Sequence, residues 1–233
     1  MQNMNRRSFV GIAASAISAL ALQACGNQQQ AQETPESASS TSADASSSAE
    51  PGHVTASGTL TTPYDEGYSS GAHHATIVVK DYGTIKVELD ADTAPISVSN
   101  FAHLVNEGFY TGTTFHRIIK GFMIQGGAPK DPAAETNMVH VIGEFEANGK
   151  KNDIKHERGV ISMARASQNN SGSSQFFIVH ETSSHLDGQY AAFGHVTEGM
   201  DVVDKIAEVP VQDSNGTVAA GDQPVIESIT MND

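Results

Sequence analysis

Residues 115–127 read FHRIIKGFMIQGG, an apolar run that carries one guanidinium, Arg117, and one carboxamide, Gln125. A guanidinium stays protonated at neutral pH, so it acts as a fixed donor of several hydrogen bonds and not as a base. A carboxamide can accept from such a donor and pass a hydrogen bond onward. Together they suit recognition of a polar group held in an apolar slot. Two strands turning at Lys120-Gly121 would place Arg117, by alternation, on the face of Phe115 and Ile119, and Gln125 could share its cavity. The same pair also fits a structural role, as polar groups at a sheet end satisfied by backbone carbonyls.

Other chemistries are poorly supplied. Cys25 is the only cysteine, so no disulfide can form within the chain, and nothing around it reads as a folded site for a catalytic thiol. Gly172-Ser173-Ser174 lacks the G-x-S-x-G elbow of a hydrolase, and neither a P-loop nor a dinucleotide fingerprint is present. His73-His74 stands at a domain edge and reads as a solvated pair. No metal and no cofactor is expected.

The elements that would position the pair are short. Eight strand-like runs are expected at 75–80, 83–89, 114–119, 122–126, 159–163, 176–179, 193–196 and 225–231. In the second, Ile85, Val87 and Leu89 alternate with Lys86 and Glu88, the pattern of a half-buried antiparallel strand. A proline-started helix is expected from Pro95 to Asn106, with Ile96, Phe101 and Leu104 on its apolar face and Gly108 closing it. Val202, Val203 and Ile206 at helical spacing predict a second helix over 200–208. Many short strands and two helices predict a mainly β fold, a closed eight-stranded antiparallel barrel capped by two α-helices.

The chain divides in three. Residues 1–25 begin with Arg6-Arg7, continue as a 14-residue apolar run from Phe9 to Leu22, and end at Cys25. That run is too short to span a bilayer and reads as a signal peptide, exported by a twin-arginine or a Sec route. Leu22-Gln23-Ala24-Cys25 resembles a lipobox, which makes Cys25 the expected lipid attachment site and membrane anchor. Residues 26–72 include seven serines within the twelve residues 37–48 and read as a flexible linker. Residues 73–233 are the expected single domain. From residue 73 onward there are 11 Lys plus Arg and 21 Asp plus Glu, a net of −10 out of −14 for the whole chain. With no basic stripe, nucleic acid is excluded as a partner.

Three later stretches share an order with FHRIIKGFMIQGG: the helix phrase APISVSNF at 94–101, GVISMARASQNNSGSSQFFIVH at 159–180 and SSHLDGQYAAFG at 183–194. In order and spacing they resemble the cyclophilin family of peptidyl-prolyl isomerases, over essentially all of residues 75–231. The resemblance implies an eight-stranded barrel with two capping helices and a peptide groove on its outer surface. It implies that Arg117 is catalytic, with Phe122 and Gln125 beside it. Phe122, Met123 and Phe177, with Leu186, then match the walls of a proline pocket, and Gln125 and Gln175 hold the substrate backbone. Ala164, Arg165 and Ala166 match the peptide-binding edge, while His116 and Tyr190 belong to the pocket surround.

The activity so implied is cis–trans exchange of Xaa-Pro bonds in extracytoplasmic proteins, assisting their folding. A peptide-binding chaperone with incidental isomerase activity is the alternative. The expected partners are proline-containing polypeptides and a bacterial membrane, met on its extracytoplasmic face, and nothing points to obligate assembly beyond a monomer. Three positions depart from the family pattern. His185 stands where cyclosporin-sensitive relatives carry tryptophan, so weak cyclosporin binding is expected. Arg165 replaces a common asparagine, and its charge would favour acidic residues flanking the proline. Ala128 replaces a common acidic residue, without a functional account.

Overall fold

The computed structural model describes residues 52–233. The signal peptide, the twin arginines, Cys25 and most of the expected linker lie outside the described residues. In chain order the strands are β1 (Thr59–Leu60), β2 (Ala72–Val79), β3 (Gly83–Asp90), β4 (Phe115–Ile119), β5 (Met123–Gly126), β6 (His140–Val141), β7 (Val160–Met163), β8 (Phe176–Val179), β9 (Ala192–Glu198) and β10 (Ile226–Met231). Two helices, α1 (Pro95–Asn106) and α2 (Met200–Ala207), and three short 3₁₀ turns complete the described part. Eight strands form one antiparallel sheet in the order β10-β2-β3-β9-β7-β8-β5-β4, while β1 pairs in parallel with β6.

The expected closure into a barrel is corrected by the edges. Strands β4 and β10 share no ladder; the residues just before them meet at an isolated bridge, Thr114 to Val225, and Ile226 N–H donates to the Thr113 carbonyl at 2.8 Å. Phe115 N–H donates to the Pro224 carbonyl at 2.9 Å, and Pro224 has no N–H to return. The sheet is a curled, open half-barrel. The free edge of β4 is instead met by residues 216–218, where Ile118 N–H donates to Gly216 O and Val218 N–H to His116 O.

Both faces of the sheet's middle are covered. On the concave face Ile124, Ile161, Phe176, Ile178 and Phe193 pack with Phe101 and Val98 of α1 into the main core. On the other face Met123, Val160, Phe177, Val179 and Ala192 form a second, smaller cluster with Leu186. Strands buried on two sides read as unbroken apolar runs, which is why VISM and FFIV show no alternation.

Helix α1 begins at Pro95, whose missing N–H costs nothing there. No side chain of its own first turn caps it. The next donors are taken by Glu144, 48 residues away, whose carboxylate accepts from Ile96 N–H at 3.0 Å and from Ser97 N–H at 2.8 Å. The Ser97 hydroxyl donates to it as well, at 2.7 Å. Packing also starts earlier in the chain than residue 73. Leu60 is fully buried in the main core, and Tyr64 stacks on His103 of α1 with centroids 4.2 Å apart.

Candidate active site

The site is one row of side chains across four strands. Arg117 of β4 is paired with Gln125 of β5, Gln125 with Phe177 of β8, and Phe177 with Ser162 of β7. A bulge between Phe115 and Arg117 sets this phase. The extra residue, His116, breaks the alternation, so Phe115 and Ile118 enter the main core while Arg117 and Ile119 turn to the opposite face. The expectation that Arg117 shares a face with Phe115 is thereby corrected; it does share one with Ile119. The paired glycines at the end of β5 also find their reason. A Cβ at Gly126 would stand 2.9 Å from the Thr114 carbonyl oxygen, and Gly127 has φ +78° with the Ser174 carbonyl 2.9 Å from where its Cβ would lie.

Arg117 is held from two sides. Its Nη1 donates to Gln125 Oε1 at 3.2 Å, its Nε to the Asn215 carbonyl at 2.8 Å and its Nη2 to Asn215 Oδ1 at 3.3 Å. Of five guanidinium N–H bonds, three are thus directed at oxygen, and another Nη1 contact reaches only the Met123 sulfur at 3.9 Å. From Gln125 the chain of hydrogen bonds continues. Its Nε2 donates to Gln175 Oε1 at 3.0 Å, and Gln175 Nε2 points to Glu135 Oε1 at 3.4 Å.

Beside Arg117 opens a cleft of about 160 Å³, with Phe122, Met123, Ala164, Phe177 and Leu186 as apolar lining and Gln125, Arg165 and Tyr190 at its polar side. Phe177 meets Tyr190 edge-on at 5.8 Å. An adjoining cavity shares Gln125, Ala164 and Arg165 and takes in Ala166 and Gln175. Two expected residues stand apart. His185 is exposed and lies beside the cleft, its ring 5.4 Å from that of Phe122, and His116 lies behind Arg117, where burial pushes its pKa below the ordinary value. The Arg165 guanidinium is not a free rim charge. It lies 4.6 Å from the Tyr190 ring centroid and 5.1 Å from that of Phe145, and donates to the carbonyls of Gln189, Ala166 and Ser167. The main-chain N–H and C=O of Arg165 itself have no partner among the described residues, so this segment presents an open edge to an extended chain.

Sequence reasoning passed over Asn215, Ser162, His156 and the role of Asp187. His156 stacks on Phe177 from below at 6.1 Å, its Nδ1 3.1 Å from Asp187 Oδ1 and its Nε2 3.1 Å from Ser162 Oγ. A carboxylate only accepts, so Nδ1 carries the proton and the Ser162 hydroxyl donates to Nε2. Burial holds the His156 pKa below the ordinary value despite Asp187, and the ring is neutral. The order Ser-His-Asp matches that of a nucleophilic triad, but Ser162 is wholly buried and no substrate carbonyl can reach it. Its place under Phe177 makes it a support for the cleft. Asn215 has a faint signal, the turn residues Asp213-Ser214-Asn215-Gly216, but nothing local ties it to Arg117.

Residues 74–231 match the family model of cyclophilin type peptidyl-prolyl cis-trans isomerase/CLD. The chain is 37% identical over 171 residues to peptidyl-prolyl cis-trans isomerase A of Dickeya dadantii, covering 71% of this chain and 87% of that protein. It is 44% identical over 124 residues to peptidyl-prolyl cis-trans isomerase B of Bacillus subtilis, covering 53% and 83%. A crystal structure of a Cryptosporidium parvum cyclophilin type isomerase in the presence of the dipeptide Ala-Pro superposes with a TM-score of 0.58 at 30% identity, covering 69% of this chain and 99% of that one. The curled eight-stranded sheet, the row from Arg117 to Ser162 and these likenesses agree: the chain belongs to the cyclophilin family of peptidyl-prolyl cis-trans isomerases.

Proposed function

We propose that this isomerase acts on Xaa-Pro bonds of extracytoplasmic polypeptides, with Arg117 as the group that stabilises the twisted amide. Rotation about a peptide bond meets a barrier of about 18–20 kcal/mol because the nitrogen lone pair is delocalised into the carbonyl. Before proline the isomers differ by only about 1 kcal/mol, yet exchange takes tens to hundreds of seconds. No covalent bond breaks, so no nucleophile or proton shuttle is needed. In the twisted amide the nitrogen regains its lone pair and becomes an acceptor. A donor fixed toward that nitrogen binds the twisted form better than either planar isomer, which is the condition for lowering the barrier.

The observation that carries this reading is the Arg117 guanidinium, pinned by Asn215 and Gln125 at the mouth of an apolar cleft. Phe122, Met123, Phe177 and Leu186 would grip the proline ring. Gln125, Gln175 and the open main chain of Arg165 would hold the flanking peptide as an added strand. The exposed His185 ring offers no indole donor, which supports weak cyclosporin binding. The lipobox-like Leu22–Cys25 and the apolar run before it support export and a lipid anchor.

Refolding of a client limited by proline exchange separates the enzyme from a holdase. Substoichiometric protein should speed the slow phase, whereas protection only at equimolar amounts would move the function to binding. Membrane fractionation of cells carrying Cys25→Ser should find the protein released to the soluble fraction; unchanged membrane residence would contradict the anchor.

A further inference from the structure

The turn between β4 and β5 carries one wall of the cleft. Lys120 and Gly121 are exposed, with Gly121 at φ +81°. Phe122 follows them, lining the cleft, and its N–H donates back to the Ile119 carbonyl at 2.9 Å. The β5–β8 ladder begins only at Met123, opposite Val179, so strand register alone does not hold Phe122. His180, the residue after β8, does. Its main-chain N–H donates to the Phe122 carbonyl at 2.9 Å, and its ring Nδ1 accepts from Gly121 N–H at 3.0 Å. An amide N–H only donates, so Nδ1 carries no proton and the ring hydrogen sits on Nε2. Nε2 faces Asp204 Oδ1 of α2 at 3.3 Å. Both oxygens of Asp204 also accept from Arg158 Nη2, at 2.7 and 2.9 Å, while Arg158 Nη1 donates to the His180 carbonyl at 2.6 Å. The imidazole is buried and fixed in one tautomer and one orientation.

We propose that His180 is a positioning residue for the proline cleft: its ring, oriented by Asp204 and Arg158, ties down Gly121 and so sets where the Phe122 wall stands. The proposal rests on the reading of the cleft as the proline site. His180 does not itself line the cleft. It acts through two peptide groups that bracket the Gly121-Phe122 step, one before Gly121 and one after Phe122. A glycine in the left-handed region leaves the backbone wide freedom, and an anchor on its N–H narrows the positions open to the ring that follows. Phe122 packs on the proline ring in the planar and the twisted states alike. His180 therefore governs how tightly all of them bind, and the donor at Arg117 is untouched.

Two substitutions separate the volume of the ring from its nitrogen. His180→Phe keeps a planar ring but offers Gly121 N–H no acceptor, whereas His180→Asn is smaller and places Oδ1 where Nδ1 stood. On a proline tetrapeptide His180→Phe should raise KM about three- to tenfold with kcat within about twofold. His180→Asn should bring KM back to within about twofold of the wild type. A residue that only fills space would give the reverse order, because the volume-conserving change is the better tolerated. An unchanged KM in His180→Phe, equal impairment of both variants, or a loss confined to kcat would each overturn the proposal while leaving the proline site standing. One measurement needs no variant to fold. NMR of the wild-type protein should show a coupling across the hydrogen bond between the Gly121 amide nitrogen and His180 Nδ1, and its absence would also overturn the proposal. No acceleration of the tetrapeptide by the wild-type protein would overturn the reading of the cleft itself, and the role of His180 with it.

Discussion

Asn215 grips the Arg117 guanidinium with both its main chain and its side chain, the carbonyl accepting from Nε at 2.8 Å and Oδ1 from Nη2 at 3.3 Å, across 98 residues of chain. Asn215 is itself set by Asp213, whose carboxylate accepts from Asn215 N–H at 2.9 Å and Thr217 N–H at 3.1 Å. The loop that covers the free edge of β4 thus also aims the donor. In Asn215→Ala the main-chain contact survives and one hydrogen bond worth about 1 kcal/mol is lost. The expected result is a roughly three- to tenfold fall in kcat with KM within about twofold, read from full kinetics on a proline tetrapeptide. A change confined to KM would place Asn215 in ground-state binding.

Glu144 takes the place of a local cap on α1. Removing its carboxylate in Glu144→Ala leaves the N–H groups of Ile96 and Ser97 without partners at the buried start of the helix. The predicted loss is about 2–3 kcal/mol of stability, seen as a lower urea midpoint at unchanged slope. Glu144→Gln keeps an acceptor and should lose about half as much.

The support beneath Phe177 makes stability depend on pH. His156 has a folded pKa below its ordinary value of 6.5, because burial penalises the imidazolium. Below about pH 6.5 the unfolded chain therefore binds the extra proton, and stability falls as the pH drops through that value. Burial works against charge on Asp187, but its hydrogen bonds from His156 outweigh this and hold its pKa below the usual carboxylate range. Its contribution is likewise lost in acid. The Tm of the protein should fall between about pH 7.5 and 5.5, and His156→Gln, less stable at neutral pH, should show a shallower slope. An equal slope in the variant would remove His156 as its source; His116, also shifted down by burial, contributes in the same direction.

Much of this was legible in the chain. The eight strands of the sheet and both helices follow from alternation, apolar runs, Pro95 and Gly108, all local signals. What was missed is non-local or too short to carry a period. Strands β1 and β6 have two residues each, and Leu60 is one apolar side chain among Gly, Ser and Thr. The bulge at His116 shifts the phase of β4 with no glycine to mark it. Asn215, Glu144 and His156 are single polar residues whose partners lie far along the chain or across strands. The row from Arg117 to Phe177 could be guessed from residue types, but only strand register makes it a row.

The most direct test of the account is to measure, on one proline tetrapeptide, both the cis–trans exchange rate and the binding affinity for the wild-type protein and Arg117→Ala. A donor that acts on the twisted amide predicts an exchange rate about a hundredfold slower in the variant, with peptide affinity within about fivefold of wild type. Exchange as fast in Arg117→Ala as in the wild type would show that the guanidinium does not stabilise the twisted bond.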